Sequence, residues 1–78
     1  PDKLAACVYT ISGDILMRFR SEACLTLVYI THESVHAALY IFDYMGCKVD
    51  FDNQEPFAFL VDCIAGFCDN IKNKNKNG

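Results

Sequence analysis

The stretch LVYITHESVHAAL, residues 27–39, decides the fold because its two halves favour different backbones. Its first half is rich in β-branched and aromatic residues, as a buried strand would be. Its centre carries His32, Glu33 and His36, and this spacing brings the two histidines onto one face only if the backbone is helical. The conformation of this stretch therefore decides which side chains can act together.

The surrounding residues favour one helix across the whole stretch. Neither Gly nor Pro occurs between Ser21 and Gly46, and apolar residues recur there at spacings of three and four. Ser21 is a suitable N-cap, and Gly46 can end a helix in the left-handed conformation. The β-branched residues lower helix propensity by only a few tenths of a kcal/mol each, which burial can outweigh. We therefore predict a helix at about 22–45, buried at the centre of the domain.

A β-hairpin is predicted before this helix. Residues 4–19 contain two β-prone runs, which are joined by Ser12-Gly13-Asp14. This is turn chemistry, and Gly13 can supply the positive φ that a tight hairpin needs. The sequence therefore predicts two antiparallel strands before the first helix.

A second helix is predicted after a short polar connection. Asp52 or Asn53 can cap this helix, which extends over about 54–72. Residues 73–78 alternate Lys and Asn and contain no apolar side chain, so they are predicted to be a disordered tail. The expected fold class is α+β, with a hairpin followed by two packed helices in a single domain at 1–72.

Composition excludes several classes of function. The net charge is −3 and lysines cluster only in the tail, so no basic face is available for nucleic acid. No apolar run reaches the roughly 18 residues of a membrane span. The five cysteines are odd in number and form no C-x-x-C pair, which favours reduced thiols and a cytoplasmic location. A 78-residue domain buries little surface, so a metal or a partner subunit in a homo-oligomer would help to stabilise it.

His32-Glu33-Ser34-Val35-His36 matches the pattern H-E-x-x-H. On a helix, its two imidazoles lie one turn apart and can bind one zinc ion, while Glu33 lies close enough to polarise a water on the metal. The alternative is a pair of hydrogen-bonded histidines on an amphipathic helix that binds no metal. A catalytic zinc site also needs a third protein ligand and an open fourth position.

Three sources of a third ligand can be compared. A histidine six residues after His36 is excluded because Phe42 stands there. Asp43 lies about 10 Å along the helix axis from His36, which is too far for one coordination sphere. Glu55 opens the second helix, and the loop around Gly46 lets that helix fold back against the first. Glu55 is therefore the predicted ligand, the alternative being a solvated glutamate favoured by the helix dipole.

His32-Glu33-x-x-His36 followed by Glu55-x-x-Ala58 resembles the gluzincin type of zinc-dependent metallopeptidase, and most closely the short HExxH proteins of phages and prophages. The likeness covers roughly residues 26–67, although the Asp usual four residues after the glutamate is Phe59 here. The resemblance implies a minimal zincin-like core with H-E-x-x-H on an active-site helix.

This resemblance also implies a cofactor and a reaction. Zn²⁺ would be bound by His32, His36 and Glu55, and Glu33 would be the general base in hydrolysis of a peptide or protein substrate. The alternative from another functional class is a non-catalytic, metal-stapled protein-binding module of a phage or mobile element. In that case the zinc ion would stabilise the fold and would not activate water.

Overall fold

A computed structural model describes the backbone of residues 4–77 and the side chains of residues 4–74. The chain forms two strands, β1 (Ala6–Ile11) and β2 (Asp14–Phe19), followed by two helices, α1 (Leu27–Tyr44) and α2 (Gln54–Asn77). A 3₁₀ turn precedes each helix, and these turns cover Glu22–Cys24 and Phe51–Asn53. The predicted α+β arrangement of a hairpin followed by two packed helices is confirmed.

The two strands pair antiparallel around a two-residue loop. The register runs from Ala6 opposite Phe19 to Ile11 opposite Asp14. The loop residues Ser12 and Gly13 have φ values of 51° and 87°. Positive φ at both central residues is the requirement of a type I′ turn, whose twist matches that of the strands. The positive φ predicted at Gly13 is confirmed, and Ser12 also adopts one.

Helix α1 begins at Leu27, later than the predicted start near residue 22. Thr26 is its N-cap, with an extended backbone and an Oγ1 that accepts a hydrogen bond from the Tyr29 backbone N–H at 3.2 Å. Ser21 instead precedes the first 3₁₀ turn and makes no side-chain capping hydrogen bond. The break before Thr26 lets Leu25 enter the core, and this burial outweighs continuation of the helix.

The other end of α1 matches the sequence prediction. Gly46 has a φ of 73°, and its N–H donates to the Asp43 carbonyl at 3.1 Å. The N–H of Cys47 donates to the Phe42 carbonyl at 2.8 Å. This pair of bonds is the Schellman motif, which satisfies carbonyls left free at a helix end. Gly46 therefore ends α1 by the predicted left-handed conformation.

The hydrophobic core lies between the hairpin and one face of each helix. Leu25, Ile30 and Cys68 form its buried cluster, and Met17, Phe19 and Ala65 pack against that cluster. At the other end of the helix pair, the rings of Phe42 and Phe57 meet edge to face with centroids 5.4 Å apart. Ile30 and Cys68 belong to one buried cluster and Phe42 contacts Phe57, so the two helices run antiparallel.

Only one face of α1 is buried, so the prediction of a helix enclosed at the domain centre is wrong. The buried residues repeat every three or four positions, and they are Ile30, Glu33, Ser34, Ala37, Ala38 and Phe42. On the opposite face, Val28 is 73% exposed. The two helices and the two-stranded sheet formed by residues 4–77 are too few elements to cover both sides of α1.

Helix α2 continues to Asn77, beyond the predicted end near 72. It thus takes in the backbone of residues 73–77, in the tail for which disorder is predicted. Neither Gly nor Pro occurs between Gly66 and Gly78, so no helix-breaking residue stands at the predicted boundary.

Neither helix formed by residues 4–77 combines the length and the apolar character that a membrane span needs.

Candidate metal site

The two histidines of the H-E-x-x-H pattern lie together on the exposed face of α1. His32 and His36 are one helical turn apart, and both side chains are exposed to solvent. Their Nε2 atoms are 3.2 Å apart, and their ring centroids are 4.9 Å apart with the planes inclined at 68°. The predicted pairing of these two side chains is therefore present in the structure.

The spacing of the two Nε2 atoms suits a zinc ion. Zinc–nitrogen bonds of about 2.0–2.1 Å and a tetrahedral angle place two coordinating nitrogens roughly 3.3 Å apart. The observed separation between His32 and His36 is 3.2 Å. The same distance permits an N–H···N hydrogen bond in which the donor depends on the tautomers. The pair therefore fits either two zinc ligands or a hydrogen-bonded pair of histidines.

Glu33 occupies a different environment from the histidines. Its side chain is only 6% exposed, on the flank of α1 that turns toward the core. Glu33 and His32 line the same cavity of about 390 Å³, whose remaining walls come from Leu4, Ala5, Ala6, Val28 and Tyr29. The predicted general base therefore shares a cavity with one of the two predicted histidine ligands.

Glu55 lies in the first turn of α2 and is exposed. In the antiparallel helix pair, Ile30 clusters with Cys68 and Phe42 contacts Phe57, so the part of α2 level with His36 is near residue 63. Glu55 precedes that level by about eight residues, or roughly 12 Å along the axis at 1.5 Å per residue. The histidines also project from the face of α1 opposite its core. The structure therefore does not bring Glu55 to the histidine pair.

The ligand set is incomplete in the described part of the chain. Within it, no three side chains of His, Cys, Asp or Glu are grouped so that they could hold a metal ion. Asp43 lies on the same face as His36, and both line a shallow pocket with Leu39 and Tyr40. His32 and His36 are thus the two candidate ligands that lie together, and the role of Glu55 as a third ligand stays a prediction.

Exposed apolar side chains flank the histidine pair, although the predicted burial of this helix at the domain centre would place them in the core. Val28 is 73% exposed, Leu39 43% and Val35 36%. Their positions relative to His32 reveal this arrangement, because residues 28, 32, 35 and 39 follow the alternating spacings of four and three that mark one helix face. The histidines therefore sit in an apolar surface.

Comparison with known proteins adds no family assignment. No protein-family model matches the chain, and neither the curated proteins nor the solved structures contain a match. The interpretation of the site therefore depends on its own geometry and on the sequence pattern.

Proposed function

We propose that this protein is a zinc-dependent metallopeptidase in which His32 and His36 hold the metal and Glu33 is the general base. The observation that carries the proposal is the 3.2 Å separation of the two Nε2 atoms within an H-E-x-x-H pattern on a helix. Bound zinc supplies Lewis acidity, which lowers the pKa of a water and polarises a carbonyl.

The role of Glu33 follows from its position beside His32. A carboxylate in the cavity that the two residues share can accept a proton from water and return it to the leaving amine. Its burial limits competing contacts with bulk water. Glu55 remains the proposed third ligand, and its binding would require the first turn of α2 to move toward the exposed face of α1.

Zinc titration of the metal-free protein tests the ligand assignment. We expect His32→Ala and His36→Ala each to weaken zinc binding by tenfold or more, because either change leaves a single histidine at the site. Asp43→Asn is a matched control on the same face, and it should bind zinc as the native chain does. Equal zinc affinity in the native protein and both histidine variants would reject the site. The same assay applied to Glu55→Ala tests the third ligand, and unchanged affinity would remove Glu55 from it.

A peptide library tests the activity. The native zinc-loaded protein should cleave some members, whereas Glu33→Gln should bind zinc normally and cleave them at least a hundredfold more slowly, since general-base catalysis contributes roughly 10²–10⁴-fold. Cleavage by Glu33→Gln at the native rate would show that Glu33 is not the base.

A second candidate function is a non-catalytic, metal-stapled protein-binding module. The large apolar side chains on the surface favour it, among them Phe51 at 85% and Phe59 at 68% exposure. For this function, zinc should raise the melting temperature while neither the native protein nor Glu33→Gln cleaves any peptide. Cleavage that requires both zinc and Glu33 would exclude the module.

A further inference from the structure

The exposed side of α1 has an unusual composition for a solvent-facing surface. We call it the histidine face, and define it by Val28, His32, Val35, His36, Leu39 and Tyr40. The outward side of an amphipathic helix is ordinarily charged or polar. Helix α1 contains no Lys or Arg, and Val28, Leu39 and Tyr40 are 73%, 43% and 40% exposed. The histidine face thus presents apolar side chains and nitrogen ligands without a positive charge that would repel a cation.

The histidine face carries two of the four protein ligands that a structural zinc site has. Zinc in structural sites is almost always bound by four ligands in a tetrahedron. His32 and His36 supply two ligands at a suitable spacing, and no third side chain joins them in the described part of the chain. A second copy of the same pair, related by a two-fold axis through the ion, would complete the tetrahedron with identical ligands.

We propose that zinc joins two copies of this chain through four histidines, His32 and His36 from each copy, with the two histidine faces packed together. This inference rests on the zinc binding in the proposed function. The two-fold axis would pass near the level of residue 34, midway between the ligands. With the two helices crossing antiparallel, Val28 of one copy would then lie level with Tyr40 of the other.

The same face meets the other requirements of a symmetric contact. The apolar residues lie on both sides of the ligand pair, so each end of one face has an apolar counterpart on the second copy. Each chain carries a net charge of −3, and a divalent cation between two chains offsets part of their repulsion. Burial of the apolar side chains on both copies would add to the free energy of association.

The closed site has a consequence for activity. Four histidines would leave no open position on the metal, whereas a catalytic zinc site keeps one. The dimer would therefore bind zinc without hydrolysing peptides, and only the monomer would be catalytically active.

Molar mass and zinc stoichiometry test this inference together. The full chain is treated with EDTA, then titrated with zinc chloride in a calorimeter, and its mass is measured by light scattering after gel filtration. We expect a mass near 8.8 kDa in EDTA and about twice that value with zinc, at one ion for two chains. His36→Ala should remain monomeric with zinc.

Two variants separate dimer formation from zinc binding. Val28→Ser and Leu39→Ser keep both histidines and add no zinc-binding carboxylate, but each places a hydroxyl in the apolar contact. We expect each to need at least a tenfold higher chain concentration to form the zinc dimer. Phe59→Ser is the matched control, because Phe59 is an exposed apolar residue on α2, at 68% exposure, outside the histidine face. Circular dichroism checks that each variant is helical, and the use of two serine positions keeps the test valid if one variant misfolds.

The outcomes distinguish this inference from the proposed function. One zinc ion per chain with an unchanged mass overturns the dimer and leaves the proposed function standing. No zinc binding at all overturns both. A dimer that persists in EDTA, or that Phe59→Ser weakens as much as Val28→Ser does, also overturns the four-histidine site.

Discussion

Replacing Ser34 with alanine should stabilise this protein, although Ser34 lies inside the H-E-x-x-H pattern. Its side chain has no exposed surface, and its Oγ has no hydrogen-bond partner in the described part of the chain. Burying a hydroxyl without a new hydrogen-bond partner is unfavourable, because its hydrogen bonds to water are lost and not replaced. Ser34→Ala deletes that group and leaves the two histidines, on the opposite face, unchanged.

The expected magnitude follows from three terms. An unsatisfied buried polar group costs about 1–3 kcal/mol, and alanine is a better helix former than serine by roughly half a kcal/mol. The small void left by one oxygen atom offsets part of this gain. We therefore expect Ser34→Ala to raise the free energy of unfolding by about 1 kcal/mol. For a domain of this size, that corresponds to a rise of roughly 4–8 °C in melting temperature.

Ala38→Ser is the matched opposite change. Ala38 lies one turn after Ser34 on the same buried face and also has no exposed surface. A serine there introduces the type of hydroxyl that Ser34→Ala removes, so we expect a loss of about 1–3 kcal/mol. Both variants are compared with the native chain by urea and thermal unfolding in EDTA, with circular dichroism as the probe.

The two substitutions are expected to change the free energy of unfolding in opposite directions. A loss of 1 kcal/mol or more in Ser34→Ala would refute the reasoning, because it would mean that the hydroxyl makes a stabilising bond. Zinc titration of the same variant is an internal control. Its zinc affinity should equal that of the native chain, since Ser34 faces the core and does not line the histidine face.

Three further predictions concern the core and the cysteines. Phe42→Ala should lower the free energy of unfolding in urea by about 3–5 kcal/mol, because Phe42 is 5% exposed and packs edge to face on a second ring. Phe59 is 68% exposed, so Phe59→Ala should lower it by less than about 0.5 kcal/mol. Equal losses in the two variants would contradict the assigned core. Burial raises the pKa of the Cys68 thiol, whereas Cys63 is exposed. In the folded protein, iodoacetamide should therefore alkylate Cys63 at least tenfold faster than Cys68, as measured by mass spectrometry. Similar alkylation rates would contradict the burial of Cys68. As the pH rises, the Cys68 thiol ionises at a lower pH in the unfolded chain than in the folded protein. The contribution of Cys68 to stability should therefore be complete below its ordinary pKa of 9.0 and decrease as the pH rises above that value.

The order and type of the elements could be predicted because local chemistry specifies them. Ser12 and Gly13 adopt the positive φ values of a hairpin turn, and Gly46 ends α1. The start of α1 could not be predicted from capping preference alone, since Ser21 and Thr26 are both acceptable caps. The choice of Thr26 depends on the burial of Leu25 against residues distant in the chain.

The sequence by itself determined that His32 and His36 meet, because an i, i+4 spacing on any α-helix places two side chains on one face. Only the tertiary structure decided which face of α1 that would be. Positions 28, 35 and 39 are apolar, and so are positions 30, 37 and 38, so hydrophobic periodicity does not distinguish the two sides. The packing of the hairpin and α2 against α1 buries the second set and Glu33, and exposes both histidines. The antiparallel course of α2 leaves Glu55 far along the helix pair from them. These relations depend on how separate elements pack, which local sequence preferences do not specify.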